Sequence, residues 1–328
     1  MKINIKSNLL IALFILTPLW GLIKPTVVVI GGAQPEFRTK ISSVLSEVLL
    51  ASNRTFKKVG ELDEVKSHFT DKGYGSFADL IKETRPYTAK KKYKVNIIKL
   101  VGRKVYEVRG IKVKVDTGDT NVSPIQYLVF TVDDKAKIVD VRYSLPKNNF
   151  HAIIDSGEDV VDQGRRQKIL EFLETFGTAY SRKDADYLEN IFSDEALIIT
   201  GYVTYRKPEF NDLMSQEKNA DTEKVVEYRQ LTKEQYINKL RNYVFPSNSY
   251  IDIDFSDITL AHHRTMPNVY GIKLKQHWKT ARYEDVGYLF LTIYFLENND
   301  PLVLVRVWQD QDFVGDYDVS IYDFDIIE

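Results

Sequence analysis

VYGIKLKQHWKT (Val269–Thr280), VGYLFLTIYF (Val286–Phe295) and LVLVRVWQ (Leu302–Gln309) follow one another near the end of the chain. Their β-branched and aromatic residues suit a pleated, half-buried surface, and with Tyr250–Leu260 they predict four long antiparallel strands. Alternation sorts each strand into two faces. Tyr270, Ile272, Leu274, Gln276 and Trp278 share one face of their strand, and Lys273, Lys275 and His277 share the other. Upstream, Arg165–Arg182 places Ile169, Leu170, Phe172, Leu173, Phe176 and Tyr180 on one side of a helix. Asp184 suits the N-cap of a short helix ending near Phe192, and a strand Leu197–Val203 follows. The polar span Arg206–Glu227 reads as a mobile surface loop. Thr232 and Gln235 form a capping-box pair opening a helix to Val244. Helices followed by four strands make an α+β domain over residues 164–328.

The preceding section repeats that order. Ile41, Val44, Leu45, Val48 and Leu49 keep helical spacing within Phe37–Leu50, and Glu61–Phe69 and Phe77–Lys82 also look helical. Strands are expected at Tyr93–Leu100, Lys104–Val115, Ile125–Val132 and Ile138–Tyr143. Gly102-Arg103 and Asp133-Asp134-Lys135 are short enough for hairpins. Local matches keep the same order: Phe69-Thr70-Asp71 with Phe192-Ser193-Asp194, Tyr127–Val132 with Tyr288–Ile293, and Val141-Arg142 with Val305-Arg306. The expectation is two tandem α+β domains, 34–147 and 164–328, joined by a polar linker over 148–163.

With 328 residues, 44% hydrophobic and 28% charged, the composition excludes a disordered chain and a multi-span membrane protein. There is no cysteine, which removes disulfides, thiolate metal sites, thiol nucleophiles and lipid attachment at cysteine. Lys2 and Lys6 precede the apolar run Leu9–Ile23, and Gly31-Gly32-Ala33 offers a small-residue exit. Residues 1–33 therefore read as a signal peptide cleaved after Ala33 or as an uncleaved N-terminal anchor. Either places the protein in the periplasm or cell envelope, touching membrane only through residues 1–33 if these remain.

Three stretches of the second half, Leu274-Lys275-Gln276-His277-Trp278, Gly287-Tyr288-Leu289-Phe290 and Val305-Arg306-Val307-Trp308-Gln309, resemble an exported bacterial branch of the nuclear-transport-factor-2-like superfamily. The helix Ile169–Tyr180 and the segment Asp184–Asp194 extend the resemblance over roughly Arg165–Asp310. The first half resembles the same fold more faintly. The resemblance implies a curved sheet wrapped around helices, forming a cone whose mouth can hold a small molecule. It fixes no activity, because the family holds enzymes, ligand binders and interaction modules. It also implies pairing through sheet faces, so the two halves are expected to form an internal pseudo-dimer.

Gln276, Trp278, Tyr288, Arg306 and Trp308 are the candidate lining of a ligand cavity, whose indole and guanidinium groups suit a small apolar or anionic ligand. For the competing reading, an isomerase, cyclase or hydrolase working by proton transfer, the residues to test are Asp194, Tyr202, His277 and Tyr288. No metal site and no cofactor motif is expected. The rings of His262 and His263 point to opposite faces of a strand, and no Gly-containing ligand loop surrounds Asp252, Asp254 and Asp257. Residues 34–150 carry 23 Lys and Arg against 14 Asp and Glu, a net of +9; residues 151–328 carry 19 against 32, a net of −13. Opposite charges predict mutual docking of the halves. The basic half, with Arg85, Lys90, Lys91, Lys92, Lys94, Lys99, Arg103, Lys104, Lys112 and Lys114, could instead meet an envelope protein or an anionic surface. Nucleic acid is not an expected partner for an exported chain. A non-enzymatic envelope binding or scaffolding protein is the leading expectation.

Overall fold

The computed structural model describes residues 24–116, 124–155, 162–206, 223–296, 300–311 and 319–324. In the first domain, helix α1 (Pro35–Phe56) buries Ile41, Val44, Leu45, Val48 and Leu49, the set its spacing marks out. They pack against strands β3 (Lys92–Lys99), β4 (Val105–Lys114), β5 (Ile125–Asp133) and β6 (Ile138–Tyr143). A turn of 3-10 helix, Leu62–His68, leads to α2 (Asp71–Thr84), which the Thr70 hydroxyl caps by accepting from Gly73 N. The short β2 (Tyr87–Thr88) pairs with β4. At Gly110, φ is +86°, and the register of β4 against β5 shifts between Arg109 and Ile111. That bulge keeps Ile111 and Val113 in the core while Glu107 and Arg109 face the other way.

The sheet contains a strand the sequence reading assigned to the leader. β1 (Thr26–Gly31) pairs in parallel with β3, from Thr26 opposite Lys92 to Gly31 opposite Ile97. Val27 and Val29 are buried, and their amides donate to the Ser46 and Ser42 hydroxyls of α1, both at 3.0 Å. An exit after Ala33 would remove this strand from the sheet, so the folded domain begins before residue 34. The mistake has a simple cause: a buried parallel strand and an export signal are both short uncharged apolar runs.

The linker expectation is corrected too. Lys147–Asp155 is a helix, α3, with Asn149 buried and donating to the Phe255 carbonyl. Its Phe150, Ile153 and Ile154 belong to the core of the second domain. Residues 156–161 of that segment lie outside the described residues.

The second domain opens with α4 (Gln163–Arg182), capped by Asp162, and α5 (Ala185–Ile191), capped by Asp184 accepting from Tyr187 N. β7 (Phe192–Arg206) and β8 (Glu223–Leu231) form an antiparallel hairpin. Glu223–Glu227 is therefore strand rather than the expected loop, while 207–222 lie outside the described residues. The Thr232–Gln235 capping box opens α6 (Lys233–Lys239). β9 (Ile251–His262), β10 (Val269–Thr280), β11 (Glu284–Phe295) and β12 (Pro301–Asp310) complete a six-stranded sheet in the order β8-β7-β12-β11-β10-β9. Its concave face holds the main core with α4, α5 and α6. A smaller apolar cluster, including Phe290, Val305, Val307 and Ile321, covers part of the convex face. Each domain is thus an α+β unit with helices on a curved sheet, the cone-like architecture.

Sheet meets helix, rather than sheet meeting sheet, where the domains join. The outer face of β4–β6 lies on α4. Arg142, whose side chain is fully buried, donates to Glu107, to Asp140 at 3.0 Å, to Thr131 at 2.8 Å and to Glu174 of α4 at 3.2 Å. Arg109 bridges Glu107 at 2.8 Å and Glu174, and Arg103 pairs with Glu171. Burial alone would raise the Glu107 carboxyl pKa, but Arg142 and Arg109 outweigh it and hold it below the usual range. Further along, the Gln126 amide donates to Asp252 at 2.8 Å, and Lys183 pairs with Glu83 at 2.9 Å. Arg103, Arg109 and Arg142 of the basic half meeting Glu171 and Glu174 of the acidic half is the docking the charge layout predicts, while Lys183–Glu83 runs the other way. Breaking such a buried network by removing one partner costs about 3–5 kcal/mol.

Candidate functional site

The concave face of β10–β12 converges on one end of the second cone. Cross-strand register sets Gln276 opposite Gly287, Trp278 opposite Asp285, Gly287 opposite Asp310, Leu289 opposite Trp308 and Leu291 opposite Arg306. Opposed residues share a face, and Leu289 and Leu291 are core residues, so the whole set faces inward. Trp308 is 3% exposed. Its indole lies against two glycines: a Cβ added at Gly201 would sit 2.0 Å from the ring, and one at Gly287 would sit 2.5 Å from it. Both positions must stay glycine for the indole to lie there.

From the helices, Tyr180 of α4 and Tyr236 of α6 join their hydroxyls at 2.6 Å. The Arg306 guanidinium carbon sits 5.2 Å from the Tyr236 ring centre, and Arg306 also bonds the Tyr180 hydroxyl. Trp278 stands edge-on to Tyr180 with ring centres 5.5 Å apart. Burial first, then Tyr236, pushes the Tyr180 pKa up, and Arg306 only partly offsets this. Asp285 shares a hydrogen bond with the Tyr283 hydroxyl; burial raises its carboxyl pKa against the opposing pull of that bond and of Arg306. Lys224 of β8 reaches Asp310 at 2.7 Å. Among the described residues, Arg306 Nε, Trp308 Nε1 and Asp285 Oδ1 in this end are buried without a hydrogen-bond partner.

Of the expected cavity residues, the structure brings Gln276, Trp278, Arg306 and Trp308 together on the concave face. Tyr288 is elsewhere: it lies on the convex face with Lys273, whose ammonium is 5.5 Å from its ring centre. The residues singled out for proton transfer do not converge. Asp194 is surface-exposed and pairs with Lys233 at 2.8 Å. Tyr202 is exposed and stacks on Tyr283 at 5.6 Å. His277 is on the convex face with Lys273 and Lys275, bonded to Glu284 at 2.7 Å. Asp285, Tyr283, Tyr180 and Tyr236 were missed. Gly287 was the available signal, since a glycine inside a strand often marks a close approach by another group. The His263 ring nitrogen faces the Thr265 and Met266 amides at 3.3 and 3.1 Å in a turn, away from this end. No cluster of three metal-ligating side chains occurs among the described residues.

No family model and no curated protein matches the chain. Solved structures do. Bd1075 of Bdellovibrio bacteriovorus is 13% identical, with a TM-score of 0.32 over 52% of this chain and 45% of that one, so the chain spans under half of that neighbour. A putative scytalone dehydratase from Novosphingobium aromaticivorans is 10% identical, with a TM-score of 0.31 over 44% of this chain and 83% of that one. ActVI-ORFA from Streptomyces coelicolor is 9% identical, with a TM-score of 0.32 over 45% of this chain and 98% of that one. The neighbours include nuclear-transport-factor-2-like and scytalone-dehydratase-like proteins. The second domain itself runs α4-α5-β7-β8-α6 and then four antiparallel strands, its six-stranded sheet packed on those helices.

Proposed function

We propose that this is a non-enzymatic binding protein of the cell envelope, which holds a small ligand in the end of the second cone around Arg306 and Trp308. The observation that carries the proposal is the convergence of three idle polar atoms, Arg306 Nε, Trp308 Nε1 and Asp285 Oδ1, on one end of one cone. Leaving a buried donor or acceptor unsatisfied costs about 1–3 kcal/mol. A ligand accepting from the guanidinium and indole would remove that cost. Arg306 forms no ion pair among the described residues, which favours an anionic or strongly accepting group.

Binding is preferred to catalysis because the tyrosine hydroxyls at this end are poorly tuned for proton transfer. Burial pushes the Tyr180 and Tyr283 hydroxyls further from neutrality, whereas a general acid works best with a pKa near the operating pH. The envelope location rests on Lys2, Lys6 and the apolar run Leu9–Ile23. Native mass spectrometry of the full chain from its own cell envelope tests the reading. The expected result is a small molecule retained by the natural protein and lost from Arg306→Gln. Identical ligand-free masses for both would overturn it.

A further inference from the structure

A cavity of about 1000 Å³ lies between the domains, away from the cone end. One wall comes from α2, β5 and β6 of the first domain, through Lys72, Ser76, Thr131 and Asp140. The other comes from α4, α5 and the start of β12. Three of its carboxylates already have cations: Glu171 has Arg103, Asp140 has Arg142, and Asp184 has Arg182 at 3.1 Å; a fourth, Asp300, also lines the cleft. Lys72 and Lys168 form no ion pair among the described residues. The Arg182 side chain, which reaches Asp184 through Nη2, is 4% exposed, and its Nε and Nη1 have no hydrogen-bond partner among the described residues. Lys168 is a strained cation as well: burial first, then Arg165 and Arg103, push its ammonium pKa down.

Spacing decides what could fill the cleft. Lys168 and Arg182 are fourteen residues apart on the continuous helix α4, which at 1.5 Å per residue separates them by about 21 Å. No single small anion reaches both. Between them the wall offers Phe172, Tyr187 and Ile191. An extended chain of six residues covers about 20–22 Å.

The geometry points to a binding site for an extended anionic chain, with the chemistry of a short acidic peptide, running along α4 from Lys168 to the buried Arg182. The chain's carboxylates meet Lys168 at one end and the unpartnered Nε and Nη1 of Arg182 at the other, and its middle rests on the apolar wall. This site is separate from the cone and does not depend on what the cone holds.

Calorimetric titration of the full chain with hexaglutamate and with diglutamate, at low salt, tests the assignment. Hexaglutamate is expected to bind, and diglutamate about tenfold or more weaker because it cannot span the cleft. Arg182→Gln should weaken hexaglutamate about tenfold. Thr175→Trp, which fills the cleft and leaves every charge in place, should do the same and guards against a folding defect in Arg182→Gln. Arg306→Gln should leave hexaglutamate binding unchanged. No binding to the natural protein would overturn the assignment. So would equal affinity for the two peptides, or a loss that follows Lys92→Gln with Lys94→Gln on the exposed face of β3 rather than the cleft variants.

Discussion

Arg142 and Arg306 hold matching places in their domains, each after a valine on the last of four consecutive antiparallel strands, and both are buried. Their side chains leave opposite faces. Val141 packs in the first domain's core and Arg142 points outward to α4; Val305 packs in the convex cluster and Arg306 points into its own cone. An offset of one residue is enough, because side-chain direction in a strand has a period of two. Both last strands adjoin register shifts, at Thr131/Val132 in one domain and at Thr292/Ile293 and Val303/Val305 in the other. Saturation differs as well. Arg142 has three carboxylates and a hydroxyl around it, whereas Arg306 keeps an idle Nε. A saturated buried arginine locks two surfaces together, and an unsaturated one keeps donor capacity in reserve.

Replacing each arginine should separate the two roles. Arg142→Met strands Glu107 and Glu174 in the interface and should lower unfolding stability by about 3–5 kcal/mol, measured by urea denaturation, with the domains then melting in separate steps. Equal stability would mean the interface is held by packing alone. Asp252 probes the same interface through pH. Burial first, then Asp254, pushes its carboxyl pKa up to about 6. The folded state therefore holds this proton more tightly than the unfolded chain. The stabilisation is complete below about pH 4 and is lost as pH rises through about 6. Asp252→Asn should flatten that window and stabilise the protein near neutral pH by on the order of 1–2 kcal/mol, seen as parallel denaturation curves at acid and neutral pH. The smallest effect is expected from Arg306→Met, within about 1 kcal/mol of the natural protein, since removing an incompletely bonded buried charge is close to neutral. A loss as large as that of Arg142→Met would make Arg306 a structural group like its counterpart.

Much of the helical framework was legible, because helix faces and caps are local. The α1 and α4 stripes, the Asp184 cap and the Thr232–Gln235 box each depend on residues within a few positions of one another. The inner face of β10 was equally plain, since lysines alternate with apolar residues there. On β11 and β12 both faces are apolar: Leu289 and Leu291 serve the concave core while Phe290 and Val307 serve the convex cluster with Ile321. Alternation then cannot say which side is inside, and Tyr288 went to the wrong one. The acid–hydroxyl pair Tyr283–Asp285 was invisible for another reason. Its members stand only two residues apart, but what places them at the cone end is the pairing of Asp285 with Trp278, which composition does not carry. The cleft residues Lys168 and Arg182 looked like the polar side of an amphipathic helix, and only the second wall, from α2, β5 and β6 of the other domain, turns that side into a site.

The parallel pairing of Thr26–Gly31 with β3 also has a practical consequence. A recombinant chain beginning at Gln34 would lack β1 and bare the backbone amides and carbonyls of β3 along one margin. That margin has Tyr93, Val95 and Ile97 turned to the core beneath it, and an unprotected strand of this kind recruits strands from other molecules. Precipitation of such a shortened protein would therefore report a missing neighbour rather than an unstable core.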